Sequence, residues 1–396
     1  MKANILYVSW DGIIEPLGQS QVLSYLKKLS SNYCFHLVTL EKKKDFKRNK
    51  DYENIVNICA SSDIRWVKII YTSNVIFSNL WNLTKCFIKS FRILISNDIK
   101  CIHARSYPPA LIGLLLKKFF RVKLIFDMRG FWIDEKVDSN RWLKNSVYYK
   151  IGKKLEKILI NNSDFIISLT FAGKQELEKN FNCKNKNIPI EVIRTCSDLD
   201  KFNIKLTNQV KSSLNLGYVG TATGWYIFDE VLIFYKYLKQ KKPGSYLRII
   251  NMNEHVFIKN KLKKHNISLK DIYLGNSSFD NIPIEMKKID FGIFFIKPSY
   301  AKKGSCATKL GEFLASGIPC ITNIGVGDHS EIIKKNNTGI ILEKFDHSNY
   351  DKTIKSIEKF KSDSKLRNRC IKTAKEFFSL EEGVSSYLKI YSYLIS

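Results

Sequence analysis

The chain has 396 residues, of which 44% are hydrophobic, so it is long enough for about two domains with packed cores. Its 65 Lys and Arg residues exceed its 37 Asp and Glu residues by 28, which favours anionic partners: nucleic acid, an anionic membrane or phosphate-bearing substrates. No apolar run reaches the roughly 20 residues of a transmembrane helix. The nine scattered cysteines lack a C-x-x-C pair and indicate free thiols rather than a disulfide framework. Because the start runs directly into a strand-like segment with no signal peptide, we expect a cytoplasmic protein.

In the first half, apolar segments typical of buried strands alternate with segments of helical spacing. The predicted strands span 5–9, 35–40, 65–70, 101–105, 123–127, 165–169 and 191–193. The predicted helices span 19–29, 77–95, 110–120, 142–159 and 172–180. This alternation predicts a parallel sheet covered by helices on both faces.

A polar, aperiodic stretch, 203–213, interrupts the alternation, and we interpret it as a linker. The pattern then restarts, with predicted strands at 216–220, 246–250, 272–275, 290–296, 320–323 and 339–342. Predicted helices span 229–239, 255–264, 282–288 and 350 to the end. The fold class is therefore α/β: two Rossmann-like, doubly wound parallel-sheet domains, 1–202 and 214–378, which we expect to face a shared cleft.

The segment 302–319 predicts a basic loop, a short helix and a turn, directly after a buried strand. A hydroxyl from Ser305 or Thr308 could cap the start of this helix. Gly317 suits the position just past its end, and Pro319 prevents its continuation.

The start of this helix would open at the carboxyl end of a strand, where α/β sheets bind ligands. A helix N-terminus beside Lys302 and Lys303 is a natural anion site. Glu312, about one turn further, could accept hydrogen bonds from sugar hydroxyls. Together these features describe a site for a nucleoside diphosphate, whereas the alternative is a surface helix with solvated charges.

Gly18 and Gln19 lie where the first strand-loop meets the first helix. Glycine at such a position permits close approach of the backbone to a ligand phosphate or sugar. The alternative is a tight turn with a polar helix start, and the G-x-G-x-x-G dinucleotide fingerprint is absent.

Polar residues also end two predicted strands of the first half. His103 and Arg105 follow one strand, where a neutral imidazole could bond a sugar hydroxyl and a guanidinium could bind phosphate. Asp127 and Arg129 follow the next strand and could instead pair with each other to brace a loop. We predict His103, Arg105 and Arg129 as catalytic residues, with a structural role as the alternative for the histidine.

Other chemistries lack their motifs in this sequence. There is no G-x-S-x-G nucleophile motif, no P-loop, no clustered metal ligands and no evident glycosidase-type carboxylate pair. The predicted helix 77–95 and the segment 117–121 combine aromatic with basic residues. Such a surface could lie on an anionic membrane, and the alternative is a core-facing amphipathic helix with a solvated basic side.

Over essentially its full length the chain resembles the family-4 (group 1) glycosyltransferases, which have the GT-B fold. The resemblance is carried by motifs at 16–21, 102–106, 126–132, 192–198, 217–220, 308–319 and 323–328. The run T-K-L-G-E-F-L-A-S-G-I-P at 308–319 is the most specific of them.

The resemblance implies transfer of a sugar, of the hexosyltransferase type, from a UDP- or GDP-linked donor, with retention at the anomeric carbon and without metal or other cofactor. The first domain would bind the acceptor, the second would bind the donor, and the final helix, 379–396, would cross back to the first domain. Glu312 would hold the ribose hydroxyls. The remaining donor-binding residues that it implies are Gly18, Gln19, Gly220, Thr221, Lys302, Lys303, Ser305, Thr308, Lys309 and Leu310.

The chain departs from the family pattern at three places. Gly304 stands where many members have a Glu, neither Arg nor Lys closely follows Gly220, and Arg105 stands where a catalytic His is frequent. We hypothesise that Lys302, Lys303 and Arg105 replace the missing cations.

The sequence therefore predicts a cytoplasmic enzyme at the inner face of the membrane that acts in capsule, lipopolysaccharide O-antigen or exopolysaccharide synthesis. Its partners would be a nucleotide sugar, a glycan or polyprenyl-diphosphate-linked acceptor and the anionic membrane surface, but not nucleic acid. Two alternatives stay open, a GT-B nucleotide-sugar epimerase and a non-catalytic GT-B partner of another transferase.

Overall fold

The computed structural model describes residues 2–48, 52–73, 77–181, 183, 187–202, 213–278 and 281–396. The chain divides into two compact units. The first comprises Met1–Arg194 with Leu380–Ser396, and the second is Thr195–Ser379. The predicted linker lies outside the described residues except for Ser213, so that prediction stays open.

The first unit is built on a seven-stranded sheet whose neighbouring strands all pair in parallel. Its strands are β1 (Ala3–Ser9), β2 (Tyr33–Glu41), β3 (Ile64–Ile70), β4 (Ile99–Arg105), β5 (Lys123–Asp127), β6 (Phe165–Ser168) and β7 (Ile190–Val192). The order β3-β2-β1-β4-β5-β6-β7 reverses direction between β1 and β4. The carboxyl ends of strands at such a reversal are the usual ligand position in open α/β sheets.

Helices follow each strand of this sheet except β7. They are α1 (Pro16–Gly18), α2 (Ser24–Leu29), α3 (Lys43–Arg48), α4 (Tyr52–Ser61), α5 (Ser78–Ser96), α6 (Tyr107–Phe119), α7 (Trp132–Asp138), α8 (Val147–Asn162) and α9 (Phe171–Asn180). A π-helical turn, Gln19–Leu23, joins α1 to α2. Single π turns inside helices are frequent at functional sites.

The second unit contains a six-stranded parallel sheet in the order β10-β9-β8-β11-β12-β13. Its strands are β8 (Asn215–Val219), β9 (Tyr246–Ile250), β10 (Ile272–Gly275), β11 (Phe291–Ile293), β12 (Cys320–Asn323) and β13 (Gly339–Leu342). Its helices are α10 (Leu199–Phe202), α11 (Phe228–Lys241), α12 (His255–Lys264), α13 (Ile282–Met286), α14 (Thr308–Ala315), α15 (His329–Asn336), α16 (His347–Lys361) and α17 (Leu366–Phe378). The last helix of the chain, α18 (Leu380–Ile395), belongs to the first unit and packs against α2 and β4.

The predicted α/β class with two Rossmann-like sheets is confirmed, because all thirteen predicted strands are present. The predicted strand 290–296 is shortened to β11, and the continuous terminal helix is in fact α16, α17 and α18. Six of the described helices were not predicted: α1, α3, α4, α7, α10 and α15. In α4 only Ile55 and Cys59 are buried, so its apolar periodicity is too weak to read from the sequence.

Candidate functional site

Helix α14 follows the carboxyl end of β11, as the sequence predicts, but its start is built differently. Its N-cap residue is Ala307 and no side chain caps it, so the predicted cap from Ser305 or Thr308 is wrong. The Ala307 N–H donates instead to Nε2 of the buried His329 at 3.1 Å. A helix start without a side-chain cap keeps its partial positive charge directed outward, which favours an anion.

The end of α14 matches the prediction. Ile318 donates its N–H to the Phe313 carbonyl at 2.9 Å, and the Gly317 N–H donates to the Leu314 carbonyl at the same distance. This arrangement satisfies the last carbonyl groups of the helix, and it places Glu312 in the middle of a short, well-defined element.

Lys309 reaches from the first turn of α14 to the loop that follows β8. Its Nζ donates to the Thr221 carbonyl oxygen at 2.9 Å. It also lies over two aromatic rings, 4.1 Å from the centroid of Tyr218 and 3.6 Å from that of Tyr226. Burial lowers the pKa of this ammonium group well below its usual range. The structure thus brings Lys309 together with the predicted Gly220–Thr221 loop.

The backbone of this loop requires glycine at position 220. Gly220 has a φ of +91°, and a Cβ there would lie 3.2 Å from Cε of Lys309. A side chain at this position would therefore be strained and would also crowd the lysine.

Two residues after β9 hold the same loop from the other side. Asn251 donates its side-chain N–H to the Gly220 carbonyl at 3.0 Å. The Glu254 carboxylate accepts from the Ala222 N–H at 2.6 Å and from the hydroxyl of Thr223. Burial opposes ionisation of Glu254, but these hydrogen bonds outweigh it and lower its pKa. Sequence analysis missed Asn251 and Glu254. The only feature of the sequence that could have indicated them is that they belong to a group of polar residues directly after a predicted strand.

Glu312 lies on α14 three residues beyond Lys309 and is partly buried. Burial raises the pKa of this carboxyl group to about 7, although the charges of Lys309 and Lys201 act in the opposite direction. A carboxyl group of this kind can accept hydrogen bonds from ligand hydroxyls when ionised. Glu312 therefore lies near the ammonium group of Lys309, and its contact with a ribose stays a prediction.

The other predicted donor-binding residues of the second unit lie in different environments. Lys302 is 4% exposed, and its Nζ lies 3.9 Å from the ring centroid of Trp225. Lys303 is exposed, with its Nζ 5.3 Å from the Tyr300 ring. The side chain of Leu310 lies in the hydrophobic core, so only its backbone could line a diphosphate.

In the first unit, Gly18 is required by an internal contact. A Cβ at this position would lie 1.8 Å from the Gly12 carbonyl oxygen, and Gln19 donates from its side chain to the Ile14 carbonyl at 3.1 Å. The carboxylate of Glu41, at the end of β2, accepts from the Ile14 N–H at 3.2 Å and anchors the loop. The helix begins at Pro16, so Gly18 is helical with a φ of −67° and the tight turn that we considered as the alternative is not present at this position. Contact of Gly18 with a ligand stays a prediction.

His103 does not reach a surface in the structure, so its predicted contact with a sugar hydroxyl is wrong for this conformation. The ring is 0% exposed, and its Nδ1 lies 2.7 Å from the hydroxyl oxygen of Tyr391 on α18. It stacks on Tyr7 with 4.3 Å between ring centroids. Burial lowers its pKa, so the imidazole is neutral and packs as a core residue.

Arg105 and Arg129 converge on one buried carboxylate. Asp127 lies 3.3 Å from a guanidinium nitrogen of Arg105 and 3.7 Å from one of Arg129. Burial alone would raise the pKa of Asp127, but Arg129, the imidazole of His103 at 3.7 Å and Arg105 together hold it at about 2. Two guanidinium groups therefore share the Asp127 carboxylate, and Nε of Arg105 also lies 4.0 Å from the partly exposed carboxylate of Asp11, so the positive charge of this cluster is largely balanced.

Two residues beside this cluster have backbone conformations that are rare outside glycine. Ser106 has a φ of +78° and Arg129 a φ of +57°. Each such residue costs about 1–3 kcal/mol and persists where the surroundings enforce it, often at functional sites. The Ser106 N–H donates to the Asp127 carbonyl at 2.8 Å, which ties the two strand ends together. This strain could not be read from the sequence.

Two further features bear on the kind of site. Within the described ranges, no group of three or more His, Cys, Asp or Glu residues is placed to hold a metal ion. Nor does the described part of the chain contain a helix with the length and apolar character needed to cross a bilayer.

Comparison with known proteins gives a consistent result. Residues 202–377 match the family model of the glycosyl transferases group 1. An uncharacterized glycosyltransferase of Methanocaldococcus jannaschii is 24% identical over 334 residues, which cover 80% of this chain and 81% of that relative.

Solved structures resemble the chain over nearly its whole length. The sucrose-phosphate synthase of Thermosynechococcus elongatus has a TM-score of 0.75 at 14% identity, with 99% of each chain covered. The Anabaena protein HepE, in complex with UDP and glucose, has a TM-score of 0.68 at 12% identity, with 98% of this chain and 99% of that chain covered. Residues 202–377 thus match the group 1 glycosyltransferases, and the chain as a whole has the GT-B fold.

Proposed function

We propose that this protein transfers a hexosyl group from a UDP- or GDP-linked sugar, with retention of the anomeric configuration, to a hydroxyl group of a glycan or polyprenyl-diphosphate-linked acceptor. One observation carries the proposal. Lys309 and Glu312 extend from the first turns of α14, and Lys309 contacts the Gly220–Thr221 loop. Support also comes from HepE, which is similar in fold and was solved with UDP and glucose.

The diphosphate would lie against the start of α14. The helix terminus supplies partial positive charge, and Lys309 supplies a full charge at the Gly220 loop. An ammonium group has three N–H donors, of which the Thr221 carbonyl accepts one. The remaining donors suit phosphate oxygens, and phosphate would also restore the charged state that burial disfavours.

The ribose would lie against Glu312. A ribose presents two neighbouring hydroxyls, and an ionised carboxylate can accept a hydrogen bond from each. Because its pKa is raised to about 7, Glu312 is partly protonated at neutral pH before the donor binds. Hydroxyl donors favour the ionised form, so donor binding would lower that pKa.

During transfer, the bond between the anomeric carbon and the diphosphate oxygen breaks, and its electron pair leaves with the diphosphate. The acceptor hydroxyl forms a new bond on the same face of the sugar, and its proton passes to the departing phosphate. The protein would chiefly orient the two substrates and stabilise the charge that develops on the leaving group. Lys309 is the residue best placed for that stabilisation.

We assign the acceptor to the first unit, where Arg105 and Arg129 place two guanidinium groups at the ends of β4 and β5. His103 would then act as a positioning residue, through its contacts with Tyr391 and Asp127. In this proposal the reaction needs no cofactor, and it takes place at the cytoplasmic face of a bacterial membrane, in capsule, O-antigen or exopolysaccharide synthesis.

A binding experiment with matched variants tests the donor site. The wild type should bind one of a panel of UDP- and GDP-linked sugars by calorimetry, and Glu312→Gln should weaken that binding about tenfold or more. The control is Glu331→Gln, an exposed residue on α15. Equal affinity in the wild type and Glu312→Gln would contradict the proposed ribose contact.

Product analysis separates the transferase from its alternatives. Incubation with the donor alone should give slow hydrolysis, and incubation with lipid-linked acceptors should give a glycosylated product. Conversion of the donor to an epimer without acceptor would instead support the epimerase. Donor binding without hydrolysis or transfer would support a non-catalytic partner.

A further inference from the structure

Three helices of the first unit, α5, α6 and α8, cover one face of its sheet. The connections from β3 to β4, from β4 to β5 and from β5 to β6 all step across the sheet in the same direction. Since such crossovers are right-handed, their helices lie on the same side. Helix α5 packs against α6, and α6 packs against α8. The outward sides of the three helices therefore form one continuous surface, which we call the α5–α6–α8 face.

The apolar residues of α5 lie on its outward side as well as against the sheet. Its buried positions are Asn82, Cys86, Ser90 and Leu94, of which only the last is a large aliphatic residue. Large apolar side chains instead point outward, from 43% to 70% exposed: Phe77, just before the helix, and Leu80, Trp81, Ile88 and Ile95. Their spacing by three, four and seven residues places them along one side of the helix. Helix α5 also packs against the sheet, with Leu94 buried and Leu83, Phe87, Phe91 and Ile93 half-buried, so the structure contains both the core-facing contact that we considered as the alternative and an outward apolar side.

The neighbouring helices continue this apolar surface. Phe91 of α5 packs against Phe119 and Phe120 at the end of α6, and the ring of Phe119 is 70% exposed. Helix α8 adds four large exposed side chains: Val147, Tyr148, Ile151 and Ile158. The exposed apolar residues therefore form a contiguous patch rather than isolated surface positions.

The charged residues of the three helices are mostly basic. Helices α5, α6 and α8 carry nine basic residues: Lys85, Lys89, Arg92, Lys117, Lys118, Lys150, Lys153, Lys154 and Lys157. Their single acidic residue, Glu156, is 0% exposed and accepts from the Tyr107 hydroxyl at 2.5 Å. Lys117 pairs with Asp164 and Lys153 with Asp134, so the exposed cations of the three helices are Lys89, Arg92, Lys118, Lys150, Lys154 and Lys157.

We propose that the α5–α6–α8 face binds the surface of an anionic lipid bilayer. Lys and Arg are attracted to anionic headgroups, and exposed aromatic and aliphatic side chains enter the boundary between headgroups and acyl chains. Charge alone would also suit nucleic acid, but aliphatic side chains such as Leu80, Ile88 and Ile151 gain little on a phosphate backbone. The proposal depends on this surface and not on sugar transfer, and it gives the membrane association of the proposed function a defined location.

Vesicle sedimentation of the full-length protein, without any sugar, tests the proposal. The wild type should bind vesicles of equal parts phosphatidylglycerol and phosphatidylcholine, and should bind phosphatidylcholine alone much more weakly. The variant Lys89→Ala with Arg92→Ala removes two cations and should weaken binding roughly tenfold or more. The variant Leu80→Ser with Ile88→Ser keeps the charge and should also weaken binding several-fold, because less apolar area enters the bilayer.

A matched control comes from α12 of the second unit, which also carries an exposed aliphatic residue and several exposed lysines. Val256→Ser, and separately Lys259→Ala with Lys263→Ala, should leave vesicle binding unchanged. Thermal unfolding identifies any variant that fails to fold. If Trp81 enters the bilayer, the tryptophan fluorescence of the wild type should change when vesicles are added, and the conservative variant Trp81→Phe should lose that change.

Equal binding by the α5 variants and the α12 controls would overturn the proposal. So would equal binding to vesicles with and without phosphatidylglycerol, or salt-sensitive binding to RNA in place of vesicles. Because the assay contains no donor or acceptor, failure of the glycosyl-transfer proposal would not change its outcome.

Discussion

The Nζ atom of Lys309 lies 2.9 Å from the carbonyl oxygen of Thr221, held between the rings of Tyr218 and Tyr226. This contact joins the first turn of α14 to the loop after β8, two segments that are 88 residues apart in the chain. Basic residues are missing from that loop, and the lysine of another element supplies the charge there. Lys309, rather than Lys302 or Lys303, is therefore the cation that we expect nearest the leaving phosphate.

The first prediction concerns this charge. Lys309→Met should weaken binding of UDP or GDP about 10- to 100-fold, because hydrogen bonds to charged groups contribute about 1.5–3 kcal/mol. The variant should fold at least as stably as the wild type, since burial disfavours the ammonium group. Calorimetric titration measures the affinity, with Lys335→Met on the exposed side of α15 as the control. Unchanged affinity in a folded Lys309→Met variant would contradict the phosphate assignment.

The second prediction concerns the pH dependence that Glu312 confers. Its pKa is raised to about 7 in the folded protein, so the folded state holds a proton that the unfolded chain loses near pH 4.5. The contribution of this group to the free energy of unfolding should therefore fall as pH rises from about 5 to 7, and level off above. Urea unfolding at pH 5 and pH 8 measures it.

Glu312→Gln should remove this pH dependence and raise the stability of the unliganded protein at pH 8. Wild-type donor affinity should rise over the same interval, because only the ionised carboxylate accepts both ribose hydroxyls. A pH-independent affinity in the wild type, with normal unfolding curves, would show that the carboxylate does not bind the donor.

The third prediction separates backbone strain from crowding in the loop after β8. Gly220→Ala and Gly224→Ala both place a side chain at positive φ, +91° and +72°, which costs about 1 kcal/mol. Only the residue at 220 would contact Lys309, because a Cβ at Gly224 has no neighbour within 4 Å. We expect similar losses of stability, but a loss of donor affinity in Gly220→Ala alone. Equal affinities in the two variants would contradict the role of the lysine contact.

The fourth prediction concerns the buried carboxylate of the first unit. Asp127→Asn removes the shared partner of Arg105 and Arg129 and should destabilise the protein by about 3–5 kcal/mol, since it leaves buried charge uncompensated. The pKa of Asp127 is lowered to about 2, so its stabilising effect is complete above about pH 4 and is lost as pH falls toward 2. Urea unfolding at pH 7 and pH 3 should show a smaller difference between variant and wild type at pH 3. The exposed Asp98→Asn is the control, and it should be neutral at both pH values.

Much of the fold could be predicted from the sequence. Buried parallel strands are short apolar runs with helical segments between them, and this pattern depends on local composition. Segments such as β9 and β12 were predicted with their observed bounds for that reason. Helix α4 was missed because it buries only two residues, so its sequence lacks the regular spacing of apolar residues that would predict a helix.

Part of the candidate site could likewise be predicted from the sequence, and part could not. Helix α14, its ending at Gly317 and the position of Glu312 follow from residues that are close in sequence. The burial of His103 against Tyr391 could not be predicted, because 288 residues separate the two.

By itself, the sequence determined the two sheets, helix α14 and the excess of positive charge, since each is a property of local pattern or composition. Only the tertiary structure decided that Lys309 reaches the Gly220 loop, that Glu254 anchors this loop, and that an apolar side of α5 faces outward. The physical reason is that burial and charge pairing depend on which distant segments meet. One pattern of apolar and polar residues is compatible with several sets of contacts between distant segments, and side-chain packing determines which set forms.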